Sequence, residues 1–158
     1  MPPATRAFLD TSAVFTAIWS EEGGGRMILR LGEAGAVKIV LCRQVLVELE
    51  RALRHKAPQA LPLLAVLLDR ARIEVGPEPD CEIRSSCQRF VTHAGDAAIL
   101  AAAVGASADY FVTLDRQHLL QNPALQRAVP FLVGTPGGLL AWYRKGLISA
   151  WRASGGAT

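Results

Sequence analysis

The sequence predicts an α/β fold, a three-layer sandwich with a central parallel sheet of about five strands flanked by helices. Short apolar runs bounded by turn residues alternate with longer stretches of helical spacing. The apolar runs lack strict polar alternation, as expected of strands covered on both faces. The 158 residues, 51% hydrophobic and 20% charged, suit one domain. A chain of that size buries roughly two-thirds of its unfolded surface and needs no disulfide or zinc staple.

Taken in order, residues 7–9 form the first strand, followed by helices from Ser12 to about Trp19 and from Gly25 to about Glu33. A second strand over 37–41 leads into helices from Arg43 to about Lys56 and from Pro58 to about Ala71. A third strand, 72–75, precedes helices from about Ile83 to Val91 and from Asp96 to about Gly105, and strands over 110–114 and 131–133 complete the sheet. Gly32, Gly35 and Gly105 sit where helix C-terminal caps belong. Gly23–Gly25 lacks the pattern of a phosphate cradle and reads as a flexible loop. Residues 1–150 are expected to form one domain and 151–158 a flexible C-terminal end.

Charge-free runs at 60–68 and 97–108 are too short or too alanine-rich to span a bilayer, and a charge near the start interrupts any secretory signal. A cytoplasmic protein with no membrane association is expected. Cys42, Cys81 and Cys87, with His55, His93 and His118, match no zinc spacing. They read as buried or idle thiols and as surface or satisfied histidines.

In open parallel sheets ligands bind outside the carboxyl ends of the strands, so acids at those ends carry weight. Asp10 ends the first run and Asp115 follows the fourth, while Asp96 opens the alanine-rich helix. Each alone is explained by helix N-capping. Together they suggest a site, because converging carboxylates repel one another unless a cation is shared among them. In the 43–56 helix, Glu48 and Glu50 flank the apolar stripe on opposite sides, and periodicity does not choose between them. Glu50 has Arg54 at i+4, which suits a solvated pair, leaving Glu48 as the better candidate.

Phe-Leu-Asp10-Thr-Ser, Val-Glu48-Leu, Gly-Asp96-Ala-Ala-Ile-Leu and Tyr-Phe-Val-Thr113-Leu-Asp115 together resemble the ordered signature of the PIN domain. The likeness is closest to the VapC-like ribonuclease toxins of toxin–antitoxin pairs and spans about residues 7–140. It implies a PIN-like sandwich with strand order 3-2-1-4-5 and an acidic pocket for Mg²⁺ or Mn²⁺. Asp10, Glu48, Asp96 and Asp115 would line that pocket as metal ligands and catalytic residues, with Ser12 and Thr113 in supporting roles. Where many relatives carry a further acid before Asp96, this chain has His93 and Ala94, which leaves one or two metals open.

The resemblance implies a metal-dependent endoribonuclease, the toxin of such a pair, with an RNA substrate, a small antitoxin partner and a homodimeric state. The alternative is a catalytically silent PIN-like module that binds RNA or protein, though such a module is expected to lose acids that are all present here. A haloacid-dehalogenase-type phosphatase would need an acid where this chain has Ser12. Charge supports a polyanionic substrate: with the four carboxylates neutralised by metal, ten acids stand against 17 bases, leaving about +7. Arg43, Arg51, Arg54, Lys56 and Arg116 lie nearest the acids by sequence, and no residue is assigned to substrate binding. The apolar run from Leu139 to Trp151 exceeds what a chain end usually keeps and suggests an interface.

Overall fold

A computed structural model describes residues 4–156. Its strands are β1 (Thr5–Leu9), β2 (Val37–Leu41), β3 (Glu74–Val75), β4 (Tyr110–Val112) and β5 (Leu132–Gly134), all parallel, in the order β3-β2-β1-β4-β5. The fold class is the one the sequence pattern predicts, and the strand order is the one the resemblance implies. Ala7, Phe8 and Leu9 alternate between the two faces of the sheet, and all three are fully buried, so helices cover both faces. The edge strands are short, two residues in β3 and three in β5, and Val75 and Leu132 on them are exposed. Short edges limit pairing with other chains.

The helices are α1 (Thr11–Trp19), α2 (Gly24–Glu33), α3 (Arg43–Lys56), α4 (Leu61–Arg70), α5 (Cys81–Cys87), α6 (Ala94–Gly105), α7 (Pro123–Ala128) and α8 (Pro136–Ala153). Between β4 and α7 lies a π-helical turn, Arg116–Leu120. The stretch from Pro58 divides into a 3-10 turn, Pro58–Ala60, and α4, because Pro62 lacks an amide donor and fits only a first turn. α5 starts before Ile83 because Asp80 caps it, accepting the Glu82 amide at 2.8 Å. α8 continues through Ala153, past the expected boundary at 150, while residues 157 and 158 of the expected flexible end lie outside the described residues.

Three helices enter their strands through one hydrogen-bond pattern. At the end of α2, Gly35 has φ +74° and the amides of Gly35 and Ala36 reach the carbonyls of Gly32 and Leu31. The same Schellman pattern follows α4, with Arg72 at φ 53°, and α6, with Ser107 at φ 54°. After α6 the C-cap is Ala106 and the left-handed residue is Ser107, whereas Gly105 ends the helix itself. Gly32 is likewise helical. A Cβ there would lie 2.6 Å from the Ile39 side chain and 2.8 Å from the Ala71 carbonyl, so the residue permits close packing of α2 on β2. Gly23–Gly25 is a packed contact instead of a flexible loop: Gly24 and Gly25 begin α2, Gly25 against α1 and Gly24 against Pro136.

The core joins both layers. Phe8 and Phe111, paired in register on β1 and β4, stack with ring centroids 5.6 Å apart, and Phe131 stacks on Phe111 at 5.7 Å. This ladder locks the pairing of β1 with β4. A slip of one residue would turn every side chain of a strand to the opposite face.

Candidate active site

The carboxyl ends of β1 and β4 lie side by side, and the chain leaves each through a hydrogen-bonded turn. The Asp10 amide donates to the Val112 carbonyl at 3.1 Å, which extends the ladder by one residue and sets Asp10 at the sheet edge. Its buried carboxylate caps α1, accepting the Ala13 amide at 3.0 Å through Oδ1. The same oxygen accepts the Ser12 hydroxyl at 2.6 Å, and Oδ2 accepts the fully buried Thr113 hydroxyl at 2.5 Å.

Both hydroxyls act twice. Ser12 Oγ also accepts the Leu114 amide and Thr113 Oγ1 the Asp115 amide, each at 3.0 Å. These bonds replace the strand ladder and explain why β4 ends at Val112 instead of Leu114. Ser12 and Thr113 thus hold Asp10 and the segment leading to Asp115 in one network. Asp115 caps the π-helical turn through the His118 amide at 3.0 Å, and His118 Nδ1 lies 3.2 Å from Asp115 Oδ2.

Asp96 stands in the first turn of α6 and not at its N-cap, which is His93. Glu48 is half-buried on α3, where its Oε2 accepts the Thr11 hydroxyl and its Oε1 the Gln44 amide at 3.0 Å. Gly95 keeps α3 and α6 close, since a Cβ there would lie only 3.3 Å from Glu48 Oε1. Glu50 faces outward in an exposed pair with Arg54 at 2.7 Å. Asp109 lies at the opposite end of β4, where it accepts the Arg6 amide at 2.8 Å, remote from this cluster.

The carboxylates act on one another through space. Burial raises the pKa of Asp10, hydrogen bonds from Ser12, Thr113 and the Ala13 amide oppose it, and the charge of Asp115 raises it further. Asp96 is raised by burial and then by Asp115, with Glu48 adding to the effect and His93 and His118 opposing it. The structure therefore brings Asp10, Glu48, Asp96 and Asp115 into one electrostatic neighbourhood. Contacts that the sequence reading lacked are those of Thr11 and Gln44 with Glu48 and of His118 with Asp115. His93 joins the same edge, its ring 5.8 Å from that of His118.

Among the described residues no three His, Cys, Asp or Glu side chains are gathered closely enough to hold a metal ion. Glu48 and Asp115 are instead engaged by protein donors. In kind the donor set fits a hard divalent cation: it is all carboxylate, sits at a strand-end edge, and includes two carboxyls whose raised pKa values reflect burial and like charge. A cation would relieve that burden.

A family model described as a PIN domain matches residues 6–117. No curated protein matches the chain. Among solved structures, VapBC2 from Rickettsia felis bound to a DNA fragment from its promoter aligns with a TM-score of 0.58 at 20% identity, covering 82% of this chain and 97% of the other. VapBC-1 from nontypeable Haemophilus influenzae aligns at 0.60 and 12% identity over 84% and 99% of the two chains. FitAcB from Neisseria gonorrhoeae aligns at 0.54 and 18% over 82% and 97%. At these identities the likeness is one of fold. No helix among the described residues is long and apolar enough to cross a membrane.

Proposed function

The chain belongs to the PIN domain family, and from that premise we propose that it is a divalent-metal-dependent endoribonuclease, the toxin of a toxin–antitoxin pair. The observation that carries this reading is the strand-end cluster of Asp10, Asp96, Asp115 and Glu48, with Ser12 and Thr113 fixing Asp10. Asp10, Asp96, Asp115 and Glu48 would hold Mg²⁺ or Mn²⁺. Such a cation, when bound, would polarise the phosphodiester, lower the pKa of a water and offset charge in an in-line displacement.

The chain's own residues do the positioning. Ser12 and Thr113 keep both Asp10 oxygens engaged and leave the carboxylate one orientation. Thr11 and Gln44 steady Glu48, and the His118 amide and ring steady Asp115. The buried floor beneath Asp10 and Thr113 limits solvent on that side. By resemblance to PIN-domain nucleases, hydrolysis would leave a 5′-phosphate and a 3′-hydroxyl and need no attack by the substrate 2′-hydroxyl.

A small antitoxin and a second copy of the chain complete the proposal. Leu147, Ile148 and Trp151 are exposed together on one side of α8, and Trp19 is 53% exposed at the end of α1. Apolar surface of this kind marks contact sites. The test incubates purified, partner-free protein with single-stranded RNA in Mg²⁺, Mn²⁺ or chelator. Cleavage with the metals and none with chelator is expected; chelator-resistant cleavage, or no cleavage in any condition, refutes the nuclease reading.

A further inference from the structure

Helix α8 outruns the body it packs on. It begins at Pro136, beside Gly24 at the start of α2, and its Tyr143 hydroxyl donates to the Ala36 carbonyl at 3.4 Å, just before β2 begins. The helix therefore runs from the carboxyl ends of the strands back to their amino ends. Residues 144–153 continue beyond that point, and every one of them is exposed. At 1.5 Å per residue the overhang is about 15 Å long, at the pole of the sheet opposite the acidic cluster.

The apolar residues of the overhang do not continue the buried face. Leu139 is fully buried, and Trp142 packs on Tyr110 with ring centroids 5.4 Å apart, which marks the side of α8 that meets the body. At about 100° per residue that side continues through Gly146, Ala150 and Ala153. Leu147, Ile148 and Trp151 fall about 120° away from it and are 42–54% exposed. Trp151 is also held in place: the C-terminal turn folds over one side of the indole, and a Cβ at Gly156 would collide with the ring. An apolar stripe turned from its own body and carrying a fixed tryptophan is a surface for another molecule.

The pattern along the stripe specifies the occupant. Arg144 shares the stripe, lying between Leu147 and Ile148 around the helix. Along the helix, Arg144 and Trp151 are equidistant from the midpoint between Leu147 and Ile148. An antiparallel copy with its two-fold axis at that point sets Leu147 against Ile148 and each Arg144 against the partner's Trp151, a cation over an aromatic face. Lys145 then meets Ala150 and Arg152 meets Tyr143, so the three cations of α8 avoid one another although the helix has no acid. A parallel pairing would set Arg144 against Arg144. Chemistry that mirrors itself about one point is what a two-fold interface requires, and a foreign ligand needs no such symmetry.

We infer that the α8 overhangs of two copies pair antiparallel, with Leu147 and Ile148 at the two-fold axis and Arg144 stacked on the partner's Trp151. This inference rests on the second copy named above and not on the nuclease reading. It leaves both acidic clusters uncovered, because each lies at the far pole of its own sheet. A helix pair of this length buries less than the ~1,200 Å² of a standard interface, so the dimer is weak, with a Kd of about 10–100 μM.

Sedimentation velocity from about 1 μM to about 1 mM compares the wild type with Trp151→Ala, Arg144→Gln and Lys145→Gln, all at exposed positions. Circular dichroism checks each fold, and RNA cleavage in Mn²⁺ is read in parallel. A concentration-dependent dimer is expected for the wild type and for Lys145→Gln, and none for Trp151→Ala. Arg144→Gln should dimerise about 5- to 30-fold more weakly, since the two-fold axis removes two cation–π contacts at once. In a Cys81→Ser background, which removes the one exposed thiol among the described residues, Leu147→Cys should form a disulfide-linked dimer under mild oxidant. Ser149→Cys, on the far side of the helix, should not.

A strictly monomeric wild type overturns the inference together with the second copy. A dimer that survives Trp151→Ala, or one that Arg144→Gln strengthens as it would a parallel pair, overturns the antiparallel surface alone. A monomer that binds a synthetic Leu/Glu amphipathic helix, with binding lost in Arg144→Gln and Lys145→Gln alike, overturns the second copy in favour of a foreign acidic helix. A dimer with the expected dependences that cuts no RNA upholds the pairing while the nuclease reading fails.

Discussion

Replacing Thr113 with valine removes one hydroxyl and keeps the side chain's shape, which isolates the link between the two strand ends. The hydroxyl donates to Asp10 at 2.5 Å and accepts the Asp115 amide at 3.0 Å, at a fully buried position. Loss of a hydrogen bond to a charged group costs about 1.5–3 kcal/mol, and a partly buried amide left unpaired adds about 1 kcal/mol. The expected deficit at neutral pH is therefore about 2.5–4 kcal/mol, or roughly 5–15 °C in Tm for a domain of this length.

The deficit also depends on pH. The folded pKa of Asp10 is raised by burial, so the stability associated with its neutral form is complete below the ordinary aspartate value of about 3.9 and is lost as pH climbs through the raised folded value. The Thr113 bond opposes that rise, so the variant's folded value moves higher still and its loss extends to higher pH. Urea unfolding from pH 3.5 to 8 in metal-free buffer should show a deficit largest above the window. It should shrink by about 1 kcal/mol or more below pH 4, where the bond joins neutral groups. Thr113→Ser, which keeps the hydroxyl, should recover most of the pH-dependent part. A deficit equal at every pH, or smaller than about 0.5 kcal/mol throughout, would refute the proposed coupling.

Glu48→Gln should lower single-turnover RNA cleavage by orders of magnitude, whereas Glu50→Gln, which breaks only an exposed pair, should keep its activity and lose at most about 0.5 kcal/mol; equal activity in the two variants removes Glu48 from the site. Mn²⁺ at about 100 times its Kd should raise stability by about 2.7 kcal/mol, because it binds the native carboxylates alone. A melting temperature indifferent to millimolar Mn²⁺ contradicts this. Gly35→Ala, placed at φ +74°, should cost about 1 kcal/mol in chemical denaturation, while Ser107→Gly at φ 54° should be neutral or stabilising; the reverse order would show that the Schellman turns are not the source of strain.

The strand positions were legible because each apolar run occupies the middle of the sheet or its edge, and the middle ones tolerate no polar alternation. Asp10 and Asp115 were legible for the same reason, as the first acids after those runs. Their capping role and their place in the cluster prove compatible: the Asp10 carboxylate accepts the Ala13 amide and two hydroxyls at once. Glu48 could be separated from Glu50 only through Arg54, four residues on, and the structure contains that pair.

The partners of Glu48 and Asp115 follow different rules. Thr11 reaches Glu48 across 37 residues, a contact created by the packing of α1 on α3 and invisible to any local pattern. His118 lies three residues from Asp115, yet its contact depends on a π-helical turn that has no simple periodicity. Helices α7 and α8 did carry a signal, since Asn122-Pro123 and Thr135-Pro136 each combine a capping side chain with proline at the first helical position. Gly137, Gly138 and Gly146 within α8 weaken its helical propensity and masked it.

The pairing of β1 with β4 has a consequence in time. Ala7 lies opposite Tyr110, so 103 residues separate the two strands along the chain, and closing a loop of that length costs about 4 kcal/mol in entropy. During synthesis at roughly 5–20 residues per second, Asp10 precedes Thr113 by about 5–20 s. Throughout that interval the nascent chain carries the first carboxylate with neither the hydroxyl that fixes it nor Asp115 beside it. For most of its own synthesis the chain therefore lacks the completed edge, a delay written into its strand order.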